Sequence, residues 1–179
     1  MPHAPQAVPL VPHPAAPSTA AKSVVVHLRS EPNRLALRYV VTGAAYRLRI
    51  PAPRAPSRAD GLWRHTCFEL FVGDPRARYR EFNFSPSGEW AAYAFAGYRQ
   101  GKAPLDCEAP GITVRASGSL LELVTAVPHE AHGAVKLGLS AVLEDNEGAL
   151  SYWALRHPSP RPDFHHADAF ALDLDEVRH

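Results

Sequence analysis

"WAAYAFAGYR", residues 90–99, is the stretch on which the fold turns, because it alone has a helical reading. Its alanines favour helix, and helical spacing would gather Trp90, Ala94 and Tyr98 on one side. Read as a strand, Trp90, Ala92, Ala94, Ala96 and Tyr98 alternate with Ala91, Tyr93, Phe95 and Gly97. The aromatics suit a pleated surface, and "PSGE" just before is a tight turn in which Gly88 supplies the backbone freedom. Strand is therefore the reading, paired as a hairpin with "RYREFNFS", residues 78–85.

With that segment extended, no helix remains to cover a parallel sheet. "SVVVHLRS" sets Val24, Val26 and Leu28 against Val25, His27 and Arg29. "RLALRYVVTG" sets Leu35, Leu37, Tyr39 and Val41 against Ala36, Arg38 and Val40. Arginine at every second position needs a solvated face, so these are half-exposed antiparallel strands. "YRLRIP" reads the same way, with Tyr46, Leu48 and Ile50 inward. Further strands lie in "ITVRAS", "SLLELVTAVP", "VKLGLSAVLED", "LSYWALR" and "AFALDL". About ten strands with no internal repeat predict an all-β, antiparallel β-sandwich of jelly-roll type or a related barrel.

The 179 residues suffice for one domain with a real core. Residues 1–21 are a proline- and alanine-rich segment, partly disordered or an edge strand, since proline is tolerated at edges; residues 22–179 are the sandwich. Eighteen prolines and eleven glycines favour short strands with structured loops. A net charge of +1, with basic residues dispersed, gives no footprint for nucleic acid or a membrane surface. The opening segment is a poor signal peptide and no run is long enough to span a bilayer, so the expected location is cytoplasmic. Cys67 and Cys107 read as two thiols rather than a disulfide framework.

The densest run of functional side chains is "GLWRHTCFELFV", residues 61–72. As a regular strand it places Trp63, His65, Cys67, Glu69 and Phe71 on one side and Phe68, Leu70 and Val72 on the core side. Glutamate is rarely buried without a partner, so Glu69 belongs on a polar surface or in a concave site, with Trp63 as a stacking platform beside it. The blander alternative is an arginine partner for Glu69 and a capping role for Trp63. In "REFNFSPSGEW", Phe82 and Phe84 take the core face and Asn83 looks out beside Glu81. Asn83 offers both a donor and an acceptor, which suits sugar hydroxyls, or it ties the strand to the next turn. Near the end, "SYWALRHPSPRPDFHHADAF" puts Tyr152 and Trp153 on opposite faces and leads into a stiff, proline-rich loop carrying Arg156, His157, Arg161, Asp163, His165 and His166, a preorganised rim or simply a connection.

Residues 61–72, "YREFNFSPSGEWAAYAFAGYR" and "LSYWALRHPSPRPDFHH" resemble, in order, the bacterial DOMON-like domains, relatives of the type 9 carbohydrate-binding modules and, more distantly, of haem-binding DOMON domains. The resemblance spans roughly residues 24–174 and implies a β-sandwich of ten or eleven strands. It implies that Trp63 and Glu69, with the Trp-x5-Glu spacing of those modules, and a later tryptophan, Trp153, clamp a sugar. Several relatives carry an aspartate three residues after the first tryptophan, where this chain has Thr66. The modules also hold calcium in acidic loops, for which no carboxylate cluster is evident here. Haem-binding relatives use an axial methionine, and the sole methionine is Met1, so a haem would need His65, His157, His165 or His166.

Enzymatic readings are thinner. His65 and Cys67 lie too far apart along a strand for a direct bond, Glu69 lacks an assured carboxylate partner at glycosidase spacing, and the histidines match no zinc pattern. The sequence therefore predicts a non-catalytic module without cofactor or metal. Its partner is a small carbohydrate-like ligand held by Trp63, Glu69, Asn83, Trp153 and Arg156, or else a protein docked on the same surface.

Overall fold

The computed structural model describes residues 5–129 and 135–174. Among them are twelve strands: β1 (Gln6–Pro12), β2 (Ala21–Glu31), β3 (Arg34–Gly43), β4 (Cys67–Gly73), β5 (Tyr79–Phe84), β6 (Trp90–Phe95), β7 (Ala103–Pro104), β8 (Thr113–Ala116), β9 (Leu120–Pro128), β10 (Lys136–Glu144), β11 (Leu150–Ala154) and β12 (Leu172–Asp173). All their pairings are antiparallel, in the order β7-β6-β5-β4-β10-β11-β1-β2-β3-β9-β8, with β12 added at one end of β10. The path curls so that β4, β5, β6, β10 and β11 form one layer and β2, β3, β8 and β9 the other, giving the expected all-β sandwich.

β1 joins the layers. Gln6–Leu10 pairs with β2, while Val11 and Pro12 pair with Ala154 and Trp153 of β11. The proline-rich start of the chain is thus the edge of each layer in turn, with Pro9 in the stretch paired to β2 and Pro12 in the stretch paired to β11.

The core lies between the layers and obeys the alternation of each strand. Val24, Val26 and Leu28 of β2 and Leu35, Leu37, Tyr39 and Val41 of β3 face Phe68, Leu70 and Val72 of β4, Phe82 and Phe84 of β5, and Leu137, Leu139 and Ala141 of β10. Residues 90–95 are a strand, with Trp90 and Ala92 in this core. Tyr39 also donates its hydroxyl to the Glu69 carbonyl across the core (2.8 Å), a buried bond that ties the two layers together at the middle of β4.

Two expectations fail locally. Residues 46–51 form no strand: Ala45–Arg47 is a 3-10 turn, Tyr46 is 71 % exposed, and only Leu48 makes a lone bridge, to Asp145. Likewise the strand expected across residues 61–72 begins only at Cys67, after a 3-10 turn at Leu62–Arg64 entered through Gly61 at φ +72°. β4 is buried on both faces, because a second apolar cluster built on Phe71, Tyr79, Ala91, Tyr93, Phe95 and Phe170 covers the side away from the core.

Candidate functional site

That outer side is where the polar side chains gather. Cys67, Glu69 and Phe71 of β4 point outward, with Glu81 and Asn83 of β5, Tyr93 and Phe95 of β6, Ser140 and Val142 of β10 and Tyr152 of β11. Register aligns them: Glu69 opposes Asn83 and Ser140, Glu81 opposes Tyr93, and Val142 opposes Tyr152. The result is a cleft of about 470 Å³ with Glu69, Glu81 and Val142 on its floor, Trp63, Tyr93, Phe95, Tyr152 and Phe164 as aromatic walls, and Arg99, Lys102 and His165 at its sides.

Trp63 reaches the cleft from the 3-10 turn, not from strand alternation. His65 and Thr66, the next residues along the chain, anchor that turn. Thr66 donates to the Arg49 carbonyl (2.8 Å) and accepts from the Glu144 amide (3.1 Å), and His65 Nδ1 meets Glu144 Oε2 at 2.7 Å. Glu144, whose side chain is 6 % exposed, also accepts from Arg49. Trp63 is left 49 % exposed beside the Arg64 guanidinium.

The opposite side is a loop spanning residues 155–171. His157 Nε2 donates to the Val11 carbonyl (2.8 Å) and His13 Nε2 to the Ser159 carbonyl (3.0 Å), pinning the loop to β1. Further along, Asp163 binds the Arg99 guanidinium (2.9 Å), the Tyr98 hydroxyl and the His165 amide, so the loop is latched to the segment after β6. His165 then packs edge-on against Phe71, Tyr79 and Phe95.

The Tyr79 hydroxyl accepts from the Arg99 amide and shares a hydrogen bond with His165 Nδ1 (2.8 Å), which leaves His165 Nε2 on the side of Glu81. That nitrogen lies 3.8 Å from Glu81 Oε2. Burial, aided by the Arg99 charge, pushes His165 down to about 4, in keeping with a neutral ring. Asn83 Nδ2 donates to Glu81 Oε1 (3.0 Å), while Asn83 Oδ1 is buried and unpartnered. Ser140 donates to Glu69 Oε2 (3.3 Å). Burial raises both carboxyl groups above the usual glutamate range, and the charge of Glu81 pushes Glu69 the same way. The floor therefore offers more acceptors than donors.

Of the residues predicted from sequence, Trp63 and Glu69 line this cleft, and Asn83 supports it from behind through Glu81. Trp153 does not: it is 3 % exposed on the core side, with Nε1 donating to Ser151 Oγ (3.1 Å). Its neighbour Tyr152 is the aromatic that faces the cleft. Arg156 is exposed and lies outside the lining. His157, His165 and His166 go to separate tasks, the last capping the turn at Ala167–Ala169, and among the described residues no group of three metal-ligating side chains converges. Glu81, Tyr93, Phe95, Lys102 and Phe164 were missed as site residues. Alternation could have found the first three, since they share an outward face with Glu69 once β4, β5 and β6 are paired.

Among the described residues no helix is long and apolar enough to cross a membrane. No family model and no curated protein matches the chain. Solved structures do. A protein from Bacteroides uniformis to which carbohydrate binding has been ascribed superimposes with a TM-score of 0.68 at 17% identity, over 92% of this chain and 83% of that one. A family 9 carbohydrate-binding module from Caldicellulosiruptor kristjanssonii, in complex with cellotriose, gives 0.56 at 8% identity over 93% and 76%. Such a module from the same organism with glucose gives 0.52 at 8% over 87% and 73%. The chain thus shares its β-sandwich fold with carbohydrate-binding modules of family 9.

Proposed function

We propose that this chain is a non-catalytic, DOMON-like module that binds a small carbohydrate or carbohydrate-like ligand in the cleft between Trp63 and the 155–171 loop. One observation carries the reading: an accessible indole and two buried carboxyl groups open into the same cleft of about 470 Å³. Its size falls within the range of small-molecule sites, roughly 300–1,000 Å³. A concave site of this kind suits a small ligand, whereas a docked protein calls for a flat apolar patch. Trp63, Tyr152 and Phe164 offer flat faces for the C–H side of a pyranose, and Glu69 and Glu81 accept bonds from its hydroxyls. The fold shared with carbohydrate-binding modules supports the same conclusion.

Calorimetric titration against a panel of monosaccharides and short glycans tests it. Trp63→Ala should weaken binding at least tenfold, equivalent to about 1.4 kcal/mol. Its melting temperature should stay close to that of the parent, because the indole is half exposed. A flat response of the parent protein across the whole panel would refute the assignment.

A further inference from the structure

The cleft floor is short of hydrogen-bond donors. Glu69 and Glu81 are 2 % and 4 % exposed, and each receives one close hydrogen bond, from Ser140 and Asn83 respectively. Together two ionised carboxylates accept up to about eight. Beside them Asn83, 1 % exposed and outside the cleft lining, spends its amide donor on Glu81 and so adds none to the cleft. Buried acceptors left short of donors are costly, and a ligand that brings donors relieves them.

Charge points the same way. Arg99 is held by Asp163 at 2.9 Å while its charge still reaches Glu69 and Glu81, and Lys102 is the second cation of the cleft, set against Glu81. The Lys102 ammonium rests on the face of Tyr93, 3.9 Å from the ring centroid. Lys102 is itself exposed, on the segment between β6 and β7, so its ammonium can swing away. The aromatic and acidic surface is therefore one on which this chain already lays an ammonium group, held by a flexible and displaceable stem.

Resting on the carbohydrate-binding reading, we propose that the preferred ligand is a saccharide bearing a free amine, its ammonium set toward Glu69 and Glu81 against the aromatic wall that Lys102 now covers. An ammonium supplies three donors to a floor made of acceptors, and its charge offsets the repulsion between the carboxylates. An N-acetylated sugar brings one amide donor and no charge. A uronic acid would bring a third carboxylate to two already crowded ones.

The test is calorimetry on the full chain at neutral pH with D-glucosamine, D-glucose, N-acetyl-D-glucosamine and D-glucuronate. Glucosamine should bind at least tenfold more tightly than the other three. Lys102→Met, an exposed change, should strengthen glucosamine binding threefold or more by removing the competing ammonium. Glu81→Gln should reduce the glucosamine-to-glucose affinity ratio toward one. Glucose or N-acetylglucosamine bound as tightly as glucosamine would overturn the amine inference and leave the carbohydrate reading standing. No binding of any of the four, glucosamine included, would overturn the amine inference, and silence across the wider glycan panel would then take the carbohydrate reading with it.

Discussion

Replacing each of the two adjacent aromatics of β11 tests the assignment of faces on which the site depends. Trp153 is 3 % exposed, opposes Pro12 and Ala141, and has its one donor satisfied by Ser151. Truncating a packed indole to alanine costs about 3–5 kcal/mol. For a chain of this size each kcal/mol moves the melting temperature by about 2–4 °C, so Trp153→Ala should lower it by roughly 6–20 °C. Tyr152 is half-buried on the cleft wall, and Tyr152→Ala should cost about 1 kcal/mol. Scanning calorimetry reads both. Fluorescence gives a ligand-free companion: of the three tryptophans, Trp63 is 49 % exposed, whereas Trp90 and Trp153 are 4 % and 3 %. Acrylamide should quench one strongly, and Trp63→Phe should remove that quenchable fraction. If Trp153→Ala melts with the parent protein while Tyr152→Ala collapses, or if Trp63→Phe leaves the quenchable fraction intact, the two faces have been assigned the wrong way round.

Three further outcomes are expected. At Gly138 an added Cβ would lie 2.7 Å from Phe170 Cδ1 and 3.2 Å from the Phe71 Cβ. Phe170 is stacked on Phe71 and cannot swing clear, so Gly138→Ala should destabilise the fold by about 1–3 kcal/mol in chemical denaturation; an unchanged midpoint would mean the ring gives way freely. Glu69 is faced by Glu81 from β5, Ser140 from β10 and Arg99 from the segment beyond β6, and burial lifts it well above its usual 4.5. Between that value and its folded one the native state holds more protons than the unfolded chain, so the stability it contributes is complete below 4.5 and is lost as pH rises. Glu69→Gln should thus gain on the parent protein from acid to neutral pH, and a constant difference across that range would contradict the linkage. Cys67 is fully buried, and burial pushes its thiol up, whereas Cys107 is partly exposed. Iodoacetamide should label Cys107 quickly and Cys67 only at the rate of unfolding, as mass spectrometry would show.

The legibility of each strand in the sequence depends on how it is covered. β2, β3 and β9 have one wet face, so their alternation is plain in the residues. β4 and β10 are covered on both sides, and "CFELFV" gives period-2 reasoning no clear outside. Glu69 was legible because a carboxyl group in an apolar run needs a reason. Trp153, which the resemblance implied as the later tryptophan of the site, packs inward, and β11 carries an aromatic on each face. Alternation says that Tyr152 and Trp153 diverge, but only the packing of β1 and β10 says which of them goes inward. Residues 61–66 were misread because Gly61 admits a left-handed turn that alternation cannot foresee. The role of His165 depends on a latch between Asp163 and Arg99, a contact between distant segments with no local signature.

The joining role of β1 constrains the order in which the molecule can close. Val11 pairs with Ala154, so the seam between the layers is sewn only after everything between them has been synthesised. Until then β1 is paired only to β2, through Gln6–Leu10, and its Val11–Pro12 end is an open edge, the condition under which chains associate with one another instead of with themselves. Bulky tags or deletions placed against residues 6–12 would hold that seam open, and their first symptom should be aggregation during expression, well before any loss of ligand binding is measured.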